Sequence, residues 1–187
     1  MKHFLSYVDE SIKANWSKPA LSNYGGRTYT YGEVASAIEK MHVLFEQCGV
    51  KKGDKVAVCS RNSAEWCIAY FAVVAYDAVC VPLLADFLPQ NIADLTRLSD
   101  SRLLIVDDSI YGGLERDKII PQFEGFADFC GLVNVASLKV LVSCNGKLDG
   151  LEKKVEAAFE KRYPAGVTAD DINYKKDDLE AVVVISY

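Results

Sequence analysis

Hydrophobic positions along the chain change period several times, and each change marks an element. Phe4, Leu5, Val8 and Ile12 recur at helical spacing and predict a short amphipathic helix over residues 4–16. Two short runs, ALSNY and RTYT, flank Gly25-Gly26 and predict a β-hairpin, because glycine accepts the positive φ of tight turns. Thr30 and Glu33 have the spacing of a capping box. Behind it Val34, Ile38, Met41, Phe45 and Cys48 form one apolar stripe, with Gly49 as the stop. His42 lies beside that stripe and reads as a flanking residue.

From Gly53 onward the pattern alternates between strand and helix. Lys55–Ser60 is a strand, and Asn62 with Glu65 opens a helix running to about Tyr76. Ala78–Leu83 is a second strand, and Pro89 sits at the next helix start, with Ile92, Leu95 and Leu98 on its inner face. Arg102–Val106 is a third strand. Such continuous apolar strands between helices predict an α/β fold with a mostly parallel sheet covered by helices on both faces. Residues 107–137 resist assignment, because Gly112-Gly113 and Pro121 interrupt the pattern. Leu138–Cys144 reads as a strand, Leu151–Arg162 as an amphipathic helix, and residues 163–178 as a polar loop with a solvated charge run. Ala181–Tyr187 reads as a buried strand that runs into the last residue, as if a βα unit were cut. The expectation is one incomplete domain over residues 1–187. Residues 1–50 form its helix, hairpin and capped helix, and 51–187 its doubly wound portion.

Composition narrows the function classes. The net charge of -5 with no basic stripe leaves no electrostatic footprint for nucleic acid. Trp66–Ala85 is about as long as a membrane span, but Asp77 near its middle would cost roughly 3 kcal/mol in a bilayer. A buried helix, turn and strand is the simpler reading. Asp9 and Glu10 exclude a secretory signal at the amino terminus. Six cysteines without a C-x-x-C pair read as reduced core thiols of a cytoplasmic protein. With only His3 and His42 to assist them, a zinc site does not follow.

Two motifs invite a phosphate reading. Gly25-Gly26 has no following helix and no Walker-type Lys or Ser/Thr. Ser60-Arg61-Asn62 lies at the carboxyl end of a strand, where ligands gather in such sheets. Arg61 could face a phosphate or carboxylate there, but a surface Arg beside a helix cap explains it. No catalytic, cofactor-binding or metal-ligating residue is assigned.

Thr30-Tyr31-Gly32-Glu33, Gly53-Asp54-Lys55-Val56, Asn62-Ser63-Ala64-Glu65-Trp66 and Val79-Cys80-Val81-Pro82-Leu83, in this order and spacing, resemble the amino-terminal region of adenylate-forming (AMP-binding) enzymes. Within that superfamily the resemblance is strongest to long- and medium-chain fatty acyl-CoA synthetases. It covers about residues 20 to 106, and the terminal strand resembles the one entering the family's phosphate-binding loop. Asp77 departs from the usual Gly, which Asp tolerates through its access to the left-handed region. The resemblance implies a parent ligase. It would use ATP and Mg²⁺ to activate a fatty acid or other carboxylate as the acyl-adenylate, then form a thioester with CoA. It also implies that the chemical groups lie beyond residue 187. The fragment alone is then expected to bind no cofactor, to be inactive, and to self-associate weakly through exposed apolar surface. An adenylation domain serving a carrier protein and a stand-alone α/β binding or regulatory domain are the alternatives.

Overall fold

Local signals account for most element boundaries. The computed structural model describes residues 2–176 and 181–187. The first helix, α1, is Phe4–Ala14, started by His3, whose Nδ1 accepts from the Leu5 N–H. The hairpin strands are β1 (Pro19–Ser22) and β2 (Thr28–Thr30). Helix α2, Tyr31–Gln47, begins with the capping box: the Glu33 N–H donates to Thr30 Oγ1 at 3.2 Å and the Thr30 N–H to Glu33 Oε2 at 2.8 Å. Its apolar stripe, Val34 to Cys48, is buried throughout.

The remaining elements wind around one sheet. They are β3 (Lys55–Cys59), α3 (Ala64–Ala75), β4 (Val79–Leu83), α4 (Pro89–Leu98), β5 (Ser101–Val106), α5 (Asp108–Arg116), β6 (Gly131–Asn134), β7 (Val140–Ser143) and α6 (Leu151–Arg162). The sheet order is β4-β3-β5-β6-β7; β3 to β6 run parallel, and β7 pairs antiparallel with β6. Strand period two splits the core between the faces. Val56, Val58, Leu103 and Ile105 face a layer holding α1, α2, α3 and α6. Ala57, Cys59, Leu104 and Val106 face one holding α4, α5 and the 3-10 turn Ile120–Gly125. Both faces are covered, which is why the strands read as unbroken apolar runs. Among the described residues no helix is long and apolar enough to cross a membrane.

Several expectations need correction. Helix α3 is capped by Ser63, whose Oγ accepts from the Trp66 N–H, and not by Asn62. Glu65 instead turns to the hairpin, accepting from Tyr29 Oη at 2.6 Å and Asn23 Nδ2 at 3.0 Å, while Asn23 Oδ1 accepts the Ala64 N–H. Leu98 is exposed, and Ala93 and Thr96 take the inner face of α4 beside Ile92. The Gly112-Gly113 pair sits inside α5, started by Asp107 as N-cap. Gly113 faces the Pro89 ring of α4, and an added Cβ would meet it only at 3.7 Å, an ordinary contact distance. Asp77 does adopt the left-handed conformation, φ 65°. The terminal segment forms an isolated parallel bridge, Val184 to Cys80 on β4; Val183, Val184 and Ile185 are half-buried against the two core layers, and Val182 and Tyr187 are exposed. Asp177, Asp178 and Glu180 lie outside the described residues.

Candidate functional site

The winding order fixes where a doubly wound sheet opens. From β3 the chain goes to β4 on one side, then crosses back to β5 on the other. The loops leaving the carboxyl ends of β3 and β5 therefore diverge, and such a switch point is where ligands bind in this class of fold. Ser60, Arg61 and Asn62 follow β3 there, and Asp107 follows β5. Ser60 is buried and donates to the Arg61 carbonyl; Arg61 and Asn62 are exposed.

Asp107 ties the loop after β3 to the start of α5. Its Oδ2 accepts the Arg61 N–H and its Oδ1 the Ile110 N–H, both at 2.8 Å. A phosphate bound at a helix start uses such backbone N–H groups. Here a carboxylate already takes them and adds negative charge. Among the described residues no group of three His, Cys, Asp or Glu is placed to hold a metal ion. The Gly25-Gly26 turn lies between β1 and β2 of the hairpin. The next loop along the same edge is also tied down. Asn134 donates from Nδ2 to Asp108 and accepts from the Ala136 and Ser137 N–H groups at Oδ1.

The terminal segment approaches the same edge. The Cys80 N–H donates to the Val183 carbonyl and the Ile185 N–H to the Cys80 carbonyl, at 2.9 and 3.0 Å. It runs parallel to β4, toward the carboxyl ends of the strands. A cleft of about 730 Å³ lies at the opposite edge, beside the first residues of β3 and β4. It is lined by Lys52, Lys55, Lys175 and Lys176, with Asp77 paired to Lys176 at 3.0 Å.

A buried polar cluster fastens α1, α2 and α6 to the segment after α6. Tyr163 Oη donates to Glu39 Oε2 at 2.7 Å, and His42 Nδ1 lies 3.6 Å from Glu39 Oε1. His42 Nε2 donates to the Ala72 carbonyl, so this ring has a structural partner on each side. Burial pushes the Glu39 carboxyl up, but the His42 and Tyr163 contacts outweigh it and hold the group below its ordinary range. A carboxyl lowered in the folded state stabilises the fold above its unfolded pKa, and loses that contribution as pH falls through the folded value. Glu39→Gln is therefore expected to be less stable than the parent at pH 7, with the gap narrowing as pH drops below the ordinary carboxylate range. Thermal melts from pH 7 to pH 3 check this; curves that stay parallel would remove Glu39 from the account.

Residues 8–187 match the family model described as AMP-binding enzyme. The chain belongs to the AMP-binding enzyme family. Acetyl-coenzyme A synthetase 1 of Candida albicans is 34% identical over 121 residues, covering 60% of this chain and 18% of the relative. A crotonobetaine/carnitine–CoA ligase of Proteus mirabilis is 26% identical over 148 residues, covering 78% of this chain and 27% of the relative. The fold is shared with a long-chain-fatty-acid-CoA ligase from Archaeoglobus fulgidus, with TM-score 0.69 at 18% identity, over 100% of this chain and 34% of that one. A mutant coronafacic acid ligase from Pectobacterium brasiliense gives TM-score 0.72 at 15% identity, over 100% and 33%. The chain thus spans about a third of the length of these solved structures. The sequence resemblance and the α/β architecture agree with this membership.

Proposed function

We propose that this AMP-binding chain is the amino-terminal scaffold of an ATP- and Mg²⁺-dependent acyl-CoA ligase acting on a fatty acid. The family match over residues 8–187, joined to coverage of only a third of the structural relatives, carries the reading. In it, the described part supplies the sheet that positions a phosphate loop and supplies no reacting group. The self-satisfied Asp107 crevice supports that division. The triphosphate, the metal and CoA would be held by residues beyond this chain.

The test has two arms. The 187-residue polypeptide, given ATP, Mg²⁺ and medium- or long-chain fatty acids, is expected to release no pyrophosphate above background. The reading frame past the Tyr187 codon is expected to encode a Thr/Ser/Gly-rich loop, and the extended protein to release pyrophosphate with these acids and CoA. Turnover by the short chain would overturn the scaffold reading. A stop codon directly after Tyr187 would favour a stand-alone binding domain. Similarity to surfactin synthase subunit 2 of Bacillus subtilis, 28% identical over 102 residues, supports a second reading, an adenylation domain that loads a carrier protein. Acyl transfer by the extended enzyme to a carrier protein and not to CoA would select it.

A further inference from the structure

Helix α1 starts on an uncommon cap. Ser, Thr, Asn and Asp are the usual side chains at this position, and none of them changes charge near neutral pH. Here the residue is His3, at φ -60° and ψ 143°, and its Nδ1 accepts the Leu5 N–H at 3.2 Å. His3 is itself buried. A ring nitrogen that accepts a hydrogen bond holds no proton, so the neutral ring carries its hydrogen on Nε2. An imidazolium has an N–H on both nitrogens and nothing left to accept with. The cap therefore exists for one charge state of the ring and not for the other.

The surroundings act in the same direction. A helix start is the positive end of its dipole, where a cation is unfavourable. His3 also lines the cleft at the amino edge of the sheet. Lys52 and Lys55 reach that cleft from the start of β3, Lys175 and Lys176 from the segment after α6, and Asp77 from the turn before β4. Asp77 is already paired with Lys176 at 3.0 Å. On the side of α1 itself, Lys2 is paired with Glu10 at 2.7 Å. Among the described residues, the charge gathered around the ring is thus mostly positive, and a proton added to the ring meets it unfavourably.

From this geometry we infer that His3 is an acid-sensitive switch on α1: the neutral ring caps the helix, and the protonated ring lets go of the Leu5 N–H and loosens the first turn. Imidazole is the side chain whose charge ordinarily changes between pH 5 and 8, which no Ser, Thr or Asn cap can do. The cap is present on the alkaline side of that titration and lost on the acid side. The inference does not rest on the ligase reading. Loosening is confined to the helix start, because farther along Ile12 is buried in the core and Asp9 accepts the Tyr174 N–H without any part for the ring.

Two measurements on the 187-residue chain test this. The ring nitrogen shifts of His3, assigned through bonds in labelled protein, should show at pH 8 a hydrogen on Nε2 and a bare Nδ1. Exchange of the Leu5 amide, corrected for the intrinsic effect of pH, should lose about fivefold in protection between pH 8 and pH 5.5, a window above the ordinary carboxylate range. His3→Asn keeps a good cap that does not titrate, and should hold Leu5 protection constant across the same window. Should that variant fail to fold, the tautomer and the Leu5 response of the parent chain decide together. A hydrogen on Nδ1 at pH 8, flat Leu5 protection in the parent chain, or an equal pH response in His3→Asn would overturn the proposal.

Discussion

Gly131→Ala is expected to destabilise the fold by at least about 4 kcal/mol and to lower Tm by roughly 10 °C or more. Gly131 opens β6 and pairs on both sides, with Leu103 of β5 and Ser143 of β7. Its φ of +149° is a region that side-chain residues rarely adopt. A Cβ there would overlap the Val142 carbonyl oxygen, and would lie 2.8 Å from Leu148 Cδ1. The first obstacle is backbone of a paired strand, which cannot rotate away as a side chain can. Relief requires breaking the β6–β7 pairing. Gly112→Ala is the matched control: it sits in helix α5 with nothing within 4 Å of an added Cβ, and is expected to gain up to about 1 kcal/mol from helix propensity. Urea unfolding of both variants tests the claim. A Gly131→Ala protein within 1 kcal/mol of the parent would mean β7 is not held where it is described.

Asp9→Ala is the second large effect, expected to cost about 1–3 kcal/mol. Asp9 on α1 is fully buried, a rare state for a carboxylate. Its Oδ1 accepts the Tyr174 N–H at 3.0 Å across 165 positions of sequence, and its Oδ2 lies 3.1 Å from the Lys13 ammonium. Truncation strands a buried backbone donor and opens a gap under Tyr174, itself 2% exposed. Asp9→Asn keeps an oxygen for the Tyr174 N–H and loses mainly the ion pair with Lys13. Lys13 is more than a third exposed, so that loss is small. Asn should therefore recover more than half of the stability lost by Ala. Hydrogen exchange at the Tyr174 amide should accelerate strongly in Ala and little in Asn. Equal, small effects of the two substitutions would show that Asp9 does not fasten this segment.

These two residues also show where sequence reasoning reached and where it stopped. The Thr30–Glu33 box was legible because both partners lie within one helical turn, and its chemistry is complete in four residues. Asn62 and Glu65 have similar spacing, yet the cap is Ser63, because Glu65 is captured by Asn23 and Tyr29, about 40 residues earlier. Asp9 in MKHFLSYVDESIK reads as one more acidic residue against a signal peptide; only the returning chain at Tyr174 makes it a buried anchor. The parallel sheet was legible from continuous apolar strands. Its middle was not, since Gly112-Gly113 reads as a break yet lies inside α5, started by Asp107 as N-cap. Leu98 matched the helical period but falls at the last turn of α4, past the edge of the layer below. For the terminal segment, an apolar sequence gave strand character without a second neighbour to complete it. The crevice at Arg61 was located by topology alone, but that Asp107 fills it with a carboxylate depends on a contact 46 positions away.

The packing of α6 on α2 has a consequence in time. Lys40 meets Glu156 at 2.6 Å, and Arg162 holds Glu46 through two bonds at 3.0 and 2.6 Å; each pair spans 116 positions. At a ribosomal rate of 5–20 residues per second, the flank of α2 emerges roughly 6–23 seconds before its cover is made. During that interval the nascent chain presents a half-clad helix, and it is this window in which a chaperone or a neighbouring nascent chain competes with α6 for the same groove.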